Sequence, residues 1–64
     1  MSAKWTPSAW RRTFGLMELV VTEVRSIPSF GWEVWQGGAC LGFAYAETRR
    51  EAFAAAFAFA KGFV

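Results

Sequence analysis

Gly37-Gly38 separates two segments, Phe30–Gln36 and Ala39–Ala46, that read as the arms of one hairpin. A two-residue hairpin turn requires positive φ values, which glycine adopts without steric penalty. Such a turn also fixes the pairing. Gln36 is expected opposite Ala39, Trp35 opposite Cys40, Val34 opposite Leu41, Trp32 opposite Phe43 and Phe30 opposite Tyr45. Because strand side chains alternate between faces, this register collects Phe30, Trp32, Val34, Leu41, Phe43 and Tyr45 on one face, read as the core. Gly31, Glu33 and Trp35 then stand with Cys40, Gly42 and Ala44 on the other.

The flanking segments extend this unit. Leu16–Arg25 reads as a preceding strand, with Met17, Leu19 and Val21 on one face and Glu18, Val20, Thr22 and Val24 on the other. Ile27-Pro28-Ser29 breaks the run and makes a connection. Before it, Thr6 followed by Pro7 matches the cap and first position of a helix, and Trp10 and Phe14 are one helical turn apart. A short helix from Pro7 to Phe14, stopped by Gly15, is therefore predicted. After the hairpin, Thr48-Arg49-Arg50-Glu51 is a capping box: the Thr hydroxyl accepts from the Glu51 N–H, and the Glu carboxylate can reach back. An alanine-rich helix should follow, because alanine is the strongest helix former. Its apolar stripe would be Ala52, Phe53, Ala56, Phe59, Ala60 and Phe63. The predicted fold is α+β, a three-stranded antiparallel sheet packed on one C-terminal helix, with the short N-terminal helix completing an (α)βββα order.

Size and composition limit what this fold can do. A chain of 64 residues supports one domain, residues 1–64, with one core, and domains of this length are marginally stable. The single cysteine, Cys40, allows no internal disulfide. Without histidine, aspartate or asparagine, no metal site or cofactor is expected. The chain is instead 55% hydrophobic and 19% aromatic, and some of that apolar weight is available to cover another molecule.

The same absences argue against an enzyme. General acid–base work near neutral pH relies mostly on histidine, and triads built on a histidine base cannot form within the chain. Glu18 and Glu33 share the outer sheet face, but carboxylates there normally serve as solvating charges. Cys40 lies mid-strand beside no basic group and reads as a small inert side chain. No apolar h-region occupies Met1–Arg12, so no signal peptide is expected. The longest apolar run, Ala52–Ala60, falls short of the about 20 residues a bilayer span needs. No membrane association and a cytoplasmic setting are the expectations.

Two surfaces look too apolar to face only water. The helix back carries Ala54, Phe57 and Ala58, and the outer sheet face carries Val20, Val24 and Trp35 among small residues. Either alanine is simply tolerated in water and Trp5 and Trp10 fold over the sheet, or these are contact surfaces. On the second reading, Trp35, Phe57, Val20 and Glu33 are the residues expected to meet a protein partner or a second copy in a homodimer. Small motif-poor proteins of this kind are similar to the inhibitors carried by phages and mobile elements, anti-CRISPR proteins among them, which act by occluding a surface.

The run from Phe30 to Ala56 also resembles the C-terminal β-β-α half of the double-stranded-RNA-binding domain. That family has a hairpin, then a helix opening with Ser/Thr, two basic residues, any residue and alanine. Here the motif reads Thr48-Arg49-Arg50-Glu51-Ala52, and the family's later double alanine is matched by Ala55-Ala56. Phe53 stands where the family has a further basic residue, and only Ile27-Pro28-Ser29 lies where it has a Gly-Pro-x-His loop. The same half is similar to the N-terminal DNA-binding module of phage integrases. The resemblance implies phosphate contacts at Arg49 and Arg50. With Arg11 and Arg12, and a net charge of +2, these form the alternative, nucleic-acid-binding set.

Overall fold

The computed structural model describes residues 9–25 and 27–63. The strands are β1 (Ala9–Phe14), β2 (Met17–Glu23), β3 (Phe30–Gln36) and β4 (Ala39–Ala46), followed by helix α1 (Arg49–Lys61). The strands form one antiparallel meander in chain order, and α1 packs across β2, β3 and β4. The α+β class, the antiparallel sheet and the C-terminal helix agree with the sequence reading.

The N-terminal prediction is corrected. Ala9–Phe14 is a strand, so among the described residues the sheet has four strands and the order is β-β-β-β-α. Trp10 and Phe14 do share a face, but by strand alternation. They pair with Val21 and Met17, with Arg12 opposite Leu19 between them. Gly15, at φ +64, opens the two-residue turn into β2, supplying the positive φ that tight hairpins favour. The expected capping residues Thr6 and Pro7 lie outside the described residues, as does Trp5.

In β2 the two faces divide as expected: Met17, Leu19 and Val21 are buried in the core with Trp32 and Val34 of β3. The β3–β4 register is as expected only next to the turn. Gln36 faces Ala39 and Trp35 faces Cys40, but Val34 then faces Gly42, Glu33 faces Phe43, Trp32 faces Ala44 and Gly31 faces Tyr45. Leu41 is the extra residue of a β-bulge, where two residues oppose one. Leu41 still packs against the core, while everything beyond it is turned over. Gly42, Ala44 and Ala46 face the helix, and Phe43 and Tyr45 point outward. The expected core positions of Phe43 and Tyr45 are thereby corrected.

Helix packing supplies the physical reason. Thr48 is the N-cap, its Oγ1 accepting from the Glu51 N–H at 3.0 Å. Ala52, Ala56 and Ala60, spaced one turn apart, are fully buried, so the helix axis comes close to the sheet. Phe59 fills the space left and packs on Trp32, their ring centroids 5.6 Å apart. Its ring tip lies directly on Gly42, where any Cβ would overlap it. A phenylalanine on this side of β4 would collide with the Phe59 ring; a glycine fits. The expected helical stripe otherwise holds, except that Phe63 follows the end of the helix and is largely exposed while touching Phe59.

Gly42→Ala should lower stability by about 1–3 kcal/mol, the usual cost of overpacking a filled core. Gly31→Ala places its Cβ chiefly against the exposed ring of Tyr45, 3.2 Å away, and should cost under about 1 kcal/mol because that ring can swing aside. Urea denaturation of both variants checks the order, and a larger loss at Gly31 would contradict the bulged register.

Candidate functional site

The outer face of the sheet is read directly from the register. One cross-strand row runs Arg11, Val20, Glu33, Phe43; the next runs Thr13, Glu18, Trp35, Cys40; and a third runs Thr22, Gly31, Tyr45. Arg11 Nη1 and Glu18 Oε2 form an ion pair at 2.9 Å. The Trp35 indole Nε1 donates to Glu33 Oε1 at 2.8 Å, which holds the ring beside the carboxylate. Val20 is only 8% exposed and forms the floor between its charged neighbours. Phe43 and Tyr45 are 66% and 58% exposed, and Tyr45 lies across Gly31, which has no side chain to lift it.

These residues border two shallow hollows. One, of about 410 Å³, lies between Trp35, Val20 and the exposed Leu16 of the β1–β2 turn. The other, of about 210 Å³, lies between Thr22, Val24, Phe43 and Tyr45. Among the described residues β4 is a sheet edge, and it carries no charged residue from Ala39 to Ala46. Natural edges are commonly guarded by charge, proline or a bulge; β4 has only the bulge. Of the expected partner-contact residues, Val20, Glu33 and Trp35 are together here. Phe57 is not: it is on the helix side, edge-on to Phe14 with ring centroids 4.7 Å apart. Phe43, Tyr45 and Leu16 were missed by the sequence reading. The signal for the first two was the small-residue series Gly42, Ala44, Ala46, which matches a closely packed helix better than large rings do.

The other concave surface is on the helix side, where α1 packs over β2, β3 and β4 and, among the described residues, reaches β1 through side chains. A groove of about 790 Å³ is lined there by Trp10, Arg12, Phe30, Arg49, Arg50 and Phe53, among others. The Arg49 guanidinium lies over the Trp10 ring and that of Arg12 over the Phe53 ring, each at 4.8 Å. Trp10 in turn packs against Phe30, their centroids 6.1 Å apart. Trp10 therefore belongs to the helix side, not to a cover over the outer face. Of the alternative arginine set, Arg12, Arg49 and Arg50 share this groove, whereas Arg11 is on the opposite face, paired with Glu18.

The carboxylates of the outer face are engaged as acceptors, Glu18 by Arg11 and Glu33 by Trp35. Among the described residues no group of three or more His, Cys, Asp or Glu side chains is gathered to hold a metal ion, and no helix is long and apolar enough to cross a membrane. Cys40 is exposed, its Sγ 3.5 Å from the Gly42 carbonyl oxygen. No known protein family, curated protein or solved structure matches the chain.

Because Cys40 is exposed on the Trp35 row, native protein should titrate one thiol per chain with a disulfide reagent, without denaturant. A thiol that reacts only after unfolding would show that this face is covered.

Proposed function

We propose that this chain is a non-catalytic binding module that docks on a protein partner through the outer face of its sheet. The observation that carries the reading is the outward pair Phe43 and Tyr45, more than half exposed on an uncharged strand and on the same face of the sheet as Trp35. A domain this small needs its apolar surface for its own core. Leaving two large rings in water forgoes about 1.5–3 kcal/mol for each side chain that could have been buried. Isolated exposed apolar residues are ordinary; three aromatic residues on neighbouring rows of one face, with charged residues among them, have the make-up of an interface. Arg11, Glu18 and Glu33 supply the charges and would set the orientation of the partner. A partner held this way loses access to whatever else used the same surface, which is occlusion without chemistry.

The experiment is affinity capture with immobilised wild-type protein and the Phe43→Ala/Tyr45→Ala variant, from lysate of the cells that express it. The partner should be recovered by the wild type and reduced about tenfold or more by the variant, as expected when central aromatic anchors are truncated. The variant should keep its thermal melt, since both rings are exposed. Equal recovery by the two proteins would overturn the reading. Concentration-dependent light scattering that shows a dimer abolished by the same variant would assign the face to a second copy instead.

A further inference from the structure

We propose that the groove between β1 and the first turns of α1 binds single-stranded nucleic acid, with phosphates at the N–H edges of Arg12, Arg49 and Arg50 and bases stacked on the ring-backed guanidiniums of Arg12 and Arg49 and against Phe30. It is a second surface, on the opposite side of the sheet from the protein-docking face, and does not rest on that reading.

Charge is the first argument. Among the described residues the only ion pair is Arg11–Glu18. Three guanidiniums therefore border one groove with no carboxylate at ion-pair distance, although Glu47 is on the same rim. Like charges gathered in this way repel, and an anionic chain laid between them removes that repulsion. Geometry is the second. Arg12 and Arg49 lie on the faces of Phe53 and Trp10, and a guanidinium stacked on a ring keeps its N–H edge free to bond phosphate oxygens. The planes are held in place before a ligand arrives, so less side-chain freedom is lost on binding.

The lining identifies the kind of chain. Phosphate contacts alone would need only the arginines. Here the arginines share the groove with three half-buried aromatic residues, and an unpaired base can stack on a guanidinium plane that a ring supports while the backbone follows positive charge. The rings are recessed between a strand and a helix. A duplex, with its bases paired inside, presents only phosphates to such a recess; unstacked bases can enter it.

The test is fluorescence anisotropy with labelled oligo-dT and oligo-U of about twelve nucleotides, within the usual span of such sites, at about 50 and about 200 mM salt. Both strands should bind. Three phosphate contacts to a single strand predict a slope of log affinity against log salt near −2, so affinity should fall about 20-fold across that range. Arg12→Ala and Arg49→Ala should each weaken binding and flatten the slope by about 0.7. Arg50→Glu, at an exposed residue with no stacking partner among the described residues, should do so without altering the thermal melt. Arg11→Ala, which removes the same charge from the opposite face, should leave binding unchanged. Absence of binding by either strand at low salt would overturn the proposal, as would equal loss on Arg11→Ala. Duplex DNA or RNA binding as tightly as the single strands would also overturn it. Displacement by polyglutamate at equal charge concentration would assign the groove to acidic peptides instead.

Discussion

The contact between Phe59 and Gly42 governs how the two layers of this protein fit. A helix whose buried positions are Ala52, Ala56 and Ala60 lies close to the sheet, and a close helix leaves no room for a second layer of large side chains. Trp32, Val34 and Leu19 fill the centre of the sheet's inner face. At its β4 side the inner face must be nearly smooth, and Gly42, Ala44 and Ala46 make it so. The bulge at Leu41 is what lets one strand do both things: Leu41 contributes to the core near the turn, and beyond it the small residues take over the inner face.

The consequence is an apolar outer face. Once the small residues are committed to the helix, strand alternation sends Phe43 and Tyr45 to the opposite side, beside Trp35 and the buried Val20. The apolar outer patch is thus the necessary counterpart of a close helix–sheet contact. The helix axis also runs over β2, β3 and β4 and meets β1 through side chains, which shapes the groove where Arg12 and Arg49 rest on aromatic rings. Both proposed binding surfaces follow from where one thirteen-residue helix is laid across the sheet.

Much of this was legible in the residues. The diglycine turn, the two faces of β2, the Thr48 cap and the alanine seam each involve local rules acting within a few positions, and each is present in the structure. What was not legible depended on contacts distant in sequence. Trp10 and Phe14 are four apart, an even number, so they share a face in a strand as well as in a helix; only pairing with β2 decides between them. Arg11 and Arg12 both belong to the alternative nucleic-acid-binding set with Arg49 and Arg50, yet in a strand neighbours point to opposite faces, and the pair is split between two surfaces. The bulge had one local mark, the glycine Gly42 inside a strand. Its cause is the ring of Phe59, seventeen positions beyond Gly42 in the chain.

The side of the sheet to which Phe43 belongs can be measured directly in solution by nuclear Overhauser spectroscopy on isotope-labelled protein. The structure requires cross-peaks from the Phe59 ring protons to the Gly42 α-protons and to the Trp32 indole, and none from Phe59 to the Phe43 ring. Cross-peaks joining the Phe59 and Phe43 rings, with Gly42 silent, would show an unbulged hairpin and remove the aromatic outer face.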